Sequence, residues 1–325
     1  MIDRYNRVID YLRISVTDRC DLRCIYCMPA DGVPALTHEE LLTYEEILRL
    51  CRVFASLGLK KVRLTGGEPL VRKDLGKLVA DLKSIEGIQT VGLTTNGMAL
   101  LSQLPELLAA GLDAVNISID ALDEDIFQMI TRRRGVNRVK AAIAASASVP
   151  NFNVKLNCVP QGMNDSQLIP IAALAEQFPL SVRFIELMPI GLGRQLTYRS
   201  EDEVRNLLEG SFGRMIPCAE HLGNGPCHYF EIPGFQGKIG FISAISHKFC
   251  HQCNRVRLTS SGFLKTCLQY DIGVDLKRLL RSGCSDDVLR TSVELSVFHK
   301  PVCHQFTGTA EERHLEQHIM SQIGG

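Results

Sequence analysis

Six strand-like segments, 12–16, 62–65, 90–95, 115–119, 152–159 and 182–187, alternate with helical sequence, and four of them are apolar on one face only. Leu12, Ile14 and Val16 alternate with Arg13, Ser15 and Thr17, and Val62 and Leu64 alternate with Arg63 and Thr65. Val115, Ile117 and Ile119 alternate with Asn116, Ser118 and Asp120, as Phe152, Val154, Leu156 and Cys158 do with Asn153, Lys155 and Asn157. Successive βα units predict a parallel sheet. A doubly wound sheet, or a barrel filled by side chains, needs apolar residues on both strand faces. The expected fold is therefore α/β: an incomplete (β/α)6 TIM-like barrel, with helices on its apolar outside and a polar concave interior. Arg13, Arg63 and Lys155 would face that interior, where an unpaired cation is costly unless an anion arrives. The pattern predicts a polyanion pocket, with internal pairing to Asp120 or Glu186 as the alternative.

The helices read as the outer layer. Thr43 and Glu46 form a capping box, Ile47, Leu50, Phe54 and Leu57 form a stripe, and Gly58 supplies a stop. After residue 222 the texture changes to Gly, Pro and His, with short strands expected near 229–232, 239–242, 256–259 and 263–266 and helices near 274–281 and 286–297. Two parts follow: a barrel over 1–222, and a smaller C-terminal α+β domain over 223–325 covering the barrel's open side. A chain of 325 residues is long enough for both.

With no net charge, nothing global attracts nucleic acid or an anionic membrane. The mixed acidic and basic N-terminus is unlike a secretory signal, and no apolar run approaches the roughly 18 residues a membrane span needs. A cytoplasmic protein is expected, and in that reducing setting its 12 cysteines read as ligands or buried thiols rather than disulfides.

Cys20, Cys24 and Cys27 follow the first strand, spaced so that one loop can give three thiolates to three irons of a cubane. Zinc normally takes a fourth protein ligand, and none lies nearby in sequence. One iron would remain open to a small molecule. Cys250, Cys253 and Cys267 form a second triplet, which His247 or His251 could complete as a zinc site. The cysteines at 51, 158, 218, 227, 284 and 303 read as buried thiols. Thr65-Gly66-Gly67-Glu68-Pro69 and Thr94-Thr95-Asn96-Gly97 sit at strand C-termini, the edge where barrel sites are built, although each could be only a turn. Arg132, Arg133 and Arg134 read as a solvated helix end.

These residues resemble the radical S-adenosylmethionine superfamily, whose hallmark is the same cysteine loop with an aromatic before its last cysteine, here Tyr26. The stretch from Tyr11 to Cys20, the Asn254-Arg255-Val256-Arg257-Leu258-Thr259 segment and the closing Gly324-Gly325 resemble, more narrowly, the GTP 3′,8-cyclase family of molybdenum cofactor biosynthesis. The resemblance runs essentially end to end, more weakly from Leu268 to Cys303. It implies a 4Fe-4S cluster on Cys20, Cys24 and Cys27 that binds S-adenosylmethionine, and a second on Cys250, Cys253 and Cys267 whose open iron contacts guanine. It also implies cofactor contacts from Tyr26, Gly67, Ser118 and Met188, and GTP contacts from Arg13, Arg63, Thr94, Lys155, Arg255, Val256 and Arg257. Gly324 and Gly325 would enter the site as catalytic residues. A reducing electron donor, a homodimer, and handover of the cyclised nucleotide to cyclic pyranopterin monophosphate synthase complete what the resemblance implies. Two rivals stay open on the residues alone: a radical enzyme acting on peptide or tRNA, and a non-catalytic iron-sulfur or zinc scaffold.

Overall fold

The computed structural model describes residues 1–218, 222–223, 225–306 and 315–324. Its strands are β1 (Tyr11–Ser15), β2 (Lys61–Thr65), β3 (Thr90–Thr95), β4 (Ala114–Ser118), β5 (Asn153–Cys158) and β6 (Ser181–Ile185), followed by β7 (Ile216–Pro217), β8 (His228–Glu231), β9 (Lys238–Ile242), β10 (Arg255–Leu258), β11 (Phe263–Lys265) and β12 (Gly273–Asp275). β1 to β6 pair in parallel and in chain order, joined by helices. The sheet does not close, because β12 and β7 are its two edges.

Residues beyond 222 extend this same sheet. β10 pairs in parallel with β1, and β9 pairs in parallel with β6. Each then carries antiparallel strands, β11 and β12 on one side and β8 and β7 on the other. Parallel strand edges leave rows of backbone donors and acceptors open, and these additions satisfy them. The last edge strand is two residues long and contains Pro217, which limits further pairing.

The expected faces are the observed ones. Leu12, Ile14, Val62, Leu64, Val91, Leu93, Val115, Ile117, Leu156 and Val182 are fully buried against the outer helices. The helix Tyr44–Ser56 starts at the Thr43–Glu46 capping box and buries Ile47, Leu50 and Phe54. Register aligns the other face into layers. Arg257, Arg13, Arg63 and Gly92 lie side by side across β10, β1, β2 and β3, with Arg255, Tyr11 and Lys61 one layer toward the strand N-termini. Thr94, Asn116 and Lys155 align across β3 to β5, and Asn157, Arg183 and Gly240 across β5, β6 and β9.

Candidate active site between two cysteine triplets

The first triplet lies in the loop that leaves β1 at its C-terminal edge, and neighbouring loops shape it. Gly67 N–H donates to Thr17 O at 2.7 Å and Glu68 N–H to Arg19 O at 2.7 Å. A Cβ on Gly67 would stand 2.3 Å from Arg19 O, so only glycine permits this backbone contact. The fully buried Glu68 carboxylate accepts from Thr95 Oγ1 and the Asn96 and Leu70 amides, tying β2 to β3. Burial pushes its pKa up to about 7, against those hydrogen bonds. Asp120 accepts from Tyr26 Oη at 2.7 Å and the Val159 amide at 2.8 Å, tying the cysteine loop to β4 and β5. Arg132 donates to the carbonyls of Arg23 and Met28. It therefore clamps the loop from the far side, whereas Arg134 pairs at the surface with Asp125, so the basic run is not one solvated feature.

Cys20, Cys24 and Cys27 are close enough to raise one another's pKa. Burial, the larger effect, pushes Cys20 and Cys27 up to about 12 and Cys24 well above the ordinary thiol range. Thiols held protonated in this way become thiolates when a metal binds, so the donor set fits an iron-sulfur cluster. Among the described residues, no three candidate ligand atoms lying within 4.8 Å of one another include a cysteine. A single zinc ion would draw its thiolate sulfurs to about 3.8 Å apart. Ser118 ends β4 at this edge, and the half-buried Met188 follows β6.

The second triplet stands at the opposite edge. Cys250 and Cys253 precede β10, whose direction matches β1, and Cys267 follows the antiparallel β11. The length of a five-residue strand, roughly 13 to 17 Å, therefore separates the two cysteine sites. Cys253 is partly buried, which raises its pKa. Lys300, Arg255 and Arg7 outweigh burial and bring it down to about 6.

Cations fill the space between. Arg63 donates to Tyr11 Oη at 2.8 Å and Leu93 O, lying over Gly92, where a Cβ would meet its guanidinium at 2.7 Å. Arg183 donates to Asn157 Oδ1, Lys155 to Leu222 O at 3.1 Å, and Arg257 to Gly324 O at 2.7 Å. Among the described residues no carboxylate lies within ion-pair distance of Arg63, Lys155, Arg183, Arg255 or Arg257. Glu186 instead accepts from the Ile245 and Ser246 amides. Burial first, and then Arg183, Arg63 and Lys61, lower Lys155 to about 7. Burial also lowers Arg13 to about 10, with Arg255, Arg63 and Arg183 adding to the effect and Tyr11 opposing it. Among the described residues, Thr94 Oγ1 and Asn116 Oδ1 are buried there without a hydrogen-bond partner. Cations held apart from carboxylates in this way fit an anionic ligand, and Asn116 Oδ1, an acceptor, fits a donor group on one.

Val256 faces the other way, fully buried in the outer apolar core, so only its main chain is available to a ligand in the cavity. Gly324 lies within the site, and Gly325 lies outside the described residues. Tyr11, Lys61 and Arg183 belong to the cavity but were not singled out from sequence. Their signal was the same alternation, extended one residue earlier in β1 and β2 and applied to β6.

The radical SAM superfamily matches residues 14–175, and the Molybdenum Cofactor Synthesis C family matches residues 180–306. A GTP 3′,8-cyclase from Clostridium perfringens (strain SM101 / Type A) is 42% identical over 326 residues, covering 100% of both chains. One from Heliobacterium modesticaldum is 44% identical over 329 residues with the same full coverage. The chain belongs to the GTP 3′,8-cyclase family. Among solved structures, Streptococcus suis SuiB bound to S-adenosylmethionine superposes with a TM-score of 0.59 at 15% identity, over 80% of this chain and 60% of that one. That likeness supports the fold of this cyclase family member. No helix among its described residues is long and apolar enough to cross a membrane.

Proposed function

We propose that this chain binds GTP on the cationic inner face and converts it to (8S)-3′,8-cyclo-7,8-dihydroguanosine 5′-triphosphate for molybdenum cofactor biosynthesis. The row of buried and half-buried cations between the two cysteine triplets carries the reading. Arg13, Arg63, Lys155, Arg255 and Arg257 hold the triphosphate, with Thr94 and the Val256 main chain alongside. Cys20, Cys24 and Cys27 hold one 4Fe-4S cluster, and Cys250, Cys253 and Cys267 hold a second whose open iron meets the guanine base. Tyr26, Gly67, Ser118 and Met188 contact S-adenosylmethionine. When bound, S-adenosylmethionine and the first cluster supply the radical chemistry that takes the hydrogen from ribose C3′. The protein's own work is placement: phosphate contacts fix the ribose against the cofactor loop, and Gly324 and Gly325 close the space from the tail. Excluding water keeps the reactive centre from side reactions.

The same reading divides the chain at 222 and 223 into barrel and cover, and places it in the cytoplasm as a homodimer served by a reducing donor. Its product passes to cyclic pyranopterin monophosphate synthase. Anaerobic reconstitution followed by mass spectrometry of the nucleotide tests the function. Iron and sulfide near about eight each, with GTP-dependent 5′-deoxyadenosine release and a cyclised product, is the expected result. Bound zinc without iron, or nucleotide recovered unchanged, overturns it.

A further inference from the structure

Cys303 stands beside the second triplet, and the residues around it are fastened to all three ligand loops. Arg7, itself buried and paired with Asp3, donates to Cys250 O at 2.8 Å, Val302 O at 2.9 Å and Pro301 O at 2.6 Å. The buried Lys300 ammonium donates to Arg255 O at 3.0 Å, two residues past Cys253, and to Thr266 O, the residue before Cys267. The Gln305 amide donates to Gln269 Oε1 at 2.5 Å, and the His304 amide reaches the Cys250 thiol. Cys303 lies within electrostatic range of Cys250, and Cys250, Cys267 and Cys303 all lie within that range of the Tyr270 hydroxyl. Unlike Cys51 and Cys158, it is only half-buried and lies outside the apolar core, so packing does not account for it. A fourth thiol therefore stands next to a triplet that by itself would leave one iron of a cluster open.

We propose that Cys303 is an exchangeable fourth ligand of the second cluster, closing the open iron in the absence of substrate and yielding it to the guanine base of GTP. The exchange is redox-neutral: one iron–sulfur bond breaks, one bond from iron to a base heteroatom forms, and the released thiolate takes a proton from solvent. The inference rests on the second-cluster reading given above.

The test uses the full chain carrying Cys20→Ala, Cys24→Ala and Cys27→Ala, so that any cluster is the second one. Reconstituted protein should hold about four irons and four sulfides. Ferricyanide oxidation should leave that cluster intact with Cys303 present, and should yield the 3Fe-4S EPR signal once Cys303→Ala is added. A thiol-alkylation assay on the protein that keeps Cys303 needs no further variant: peptide mapping should show Cys303 protected, and labelled about tenfold faster after GTP is added. Iron well below about four overturns the second-cluster reading, and this proposal with it. A full iron complement with the same EPR signal in both backgrounds, or Cys303 labelling indifferent to GTP, overturns the ligand role alone.

Discussion

Arg257 on β10 donates from Nη1 to the carbonyl of Gly324 at 2.7 Å, so the last turn of the chain rests on the inner face of the sheet. Gly324 has φ +74°, and a Cβ there would stand 2.9 Å from Ser15 Cβ and 3.0 Å from Thr65 Oγ1. Gly324→Ala adds backbone strain and pushes the tail away from β1 and β2. Displacement of about 1 Å near a reacting centre costs about a hundredfold in rate. Turnover of GTP should fall by that order, with iron content and S-adenosylmethionine binding unchanged. Wild-type turnover in the alanine variant would remove Gly324 from the machinery.

On the proposed GTP site, Lys155 should make nucleotide binding depend on pH. Its pKa is lowered from 10.5 to about 7, chiefly by burial and further by Arg183, Arg63 and Lys61. Free protein therefore loses this charge as pH rises through about 7, while an arriving triphosphate favours the ammonium form. GTP binding should take up a proton above that pH, and affinity should weaken from pH 7 toward 9. Calorimetry in two buffers of different ionisation enthalpy measures the uptake. Lys155→Met should weaken binding about tenfold near pH 7, or 1.4 kcal/mol, and flatten the pH dependence. A slope that survives the substitution assigns the proton elsewhere.

Tyr11 is a readily ionised acidic group within this cation cluster. Burial raises its pKa, but Arg63, Arg13, Lys61 and Arg255 outweigh it and bring the phenol from 10.0 down to about 7. Between those values the unfolded chain binds more protons than the folded one, so stability rises with pH. The contribution is complete above about pH 10 and lost as pH falls through about 7. Denaturant titrations of the apo-protein from pH 6.5 to 9 should show stability climbing in the parent relative to Tyr11→Phe. Parallel curves for the two proteins would show that Tyr11 stays protonated.

The sheet and its polar interior were legible because side-chain alternation is fixed by the strand backbone, and four strands repeated it. Tyr11 and Lys61 are less legible because each precedes by one residue the apolar onset of its strand at Leu12 and Val62, although each faces inward. Arg183 occupies the face of β6 that the apolar Val182 and Phe184 leave free, the same alternation as in the other strands. The two triplets were read from spacing, but their opposite positions were not. That placement follows from β10 pairing in parallel with β1, a long-range choice that no local pattern encodes. Arg132 shows the same limit, since its role depends on the carbonyls of Arg23 and Met28 more than a hundred residues earlier.

The tail approaches the site past a buried ion pair. Lys265 on β11 and Glu316 have side chains 1% exposed each and meet directly, while the Glu316 amide donates to Gln269 O at 2.7 Å. Burial raises the Glu316 pKa, but Lys265 and His318 hold it below the usual carboxylate range. Removing one partner leaves a buried charge uncompensated, at a cost of about 3 to 5 kcal/mol, whereas replacing both by apolar groups is often neutral. Lys265→Met should therefore release 315–324 to faster hydrogen exchange and lower turnover without changing iron content. Lys265→Met combined with Glu316→Leu should restore most of the protection, because the unpaired carboxylate is gone. Equal exchange in the single variant and the parent would mean the tail is held by Arg257 and its neighbours without this pair.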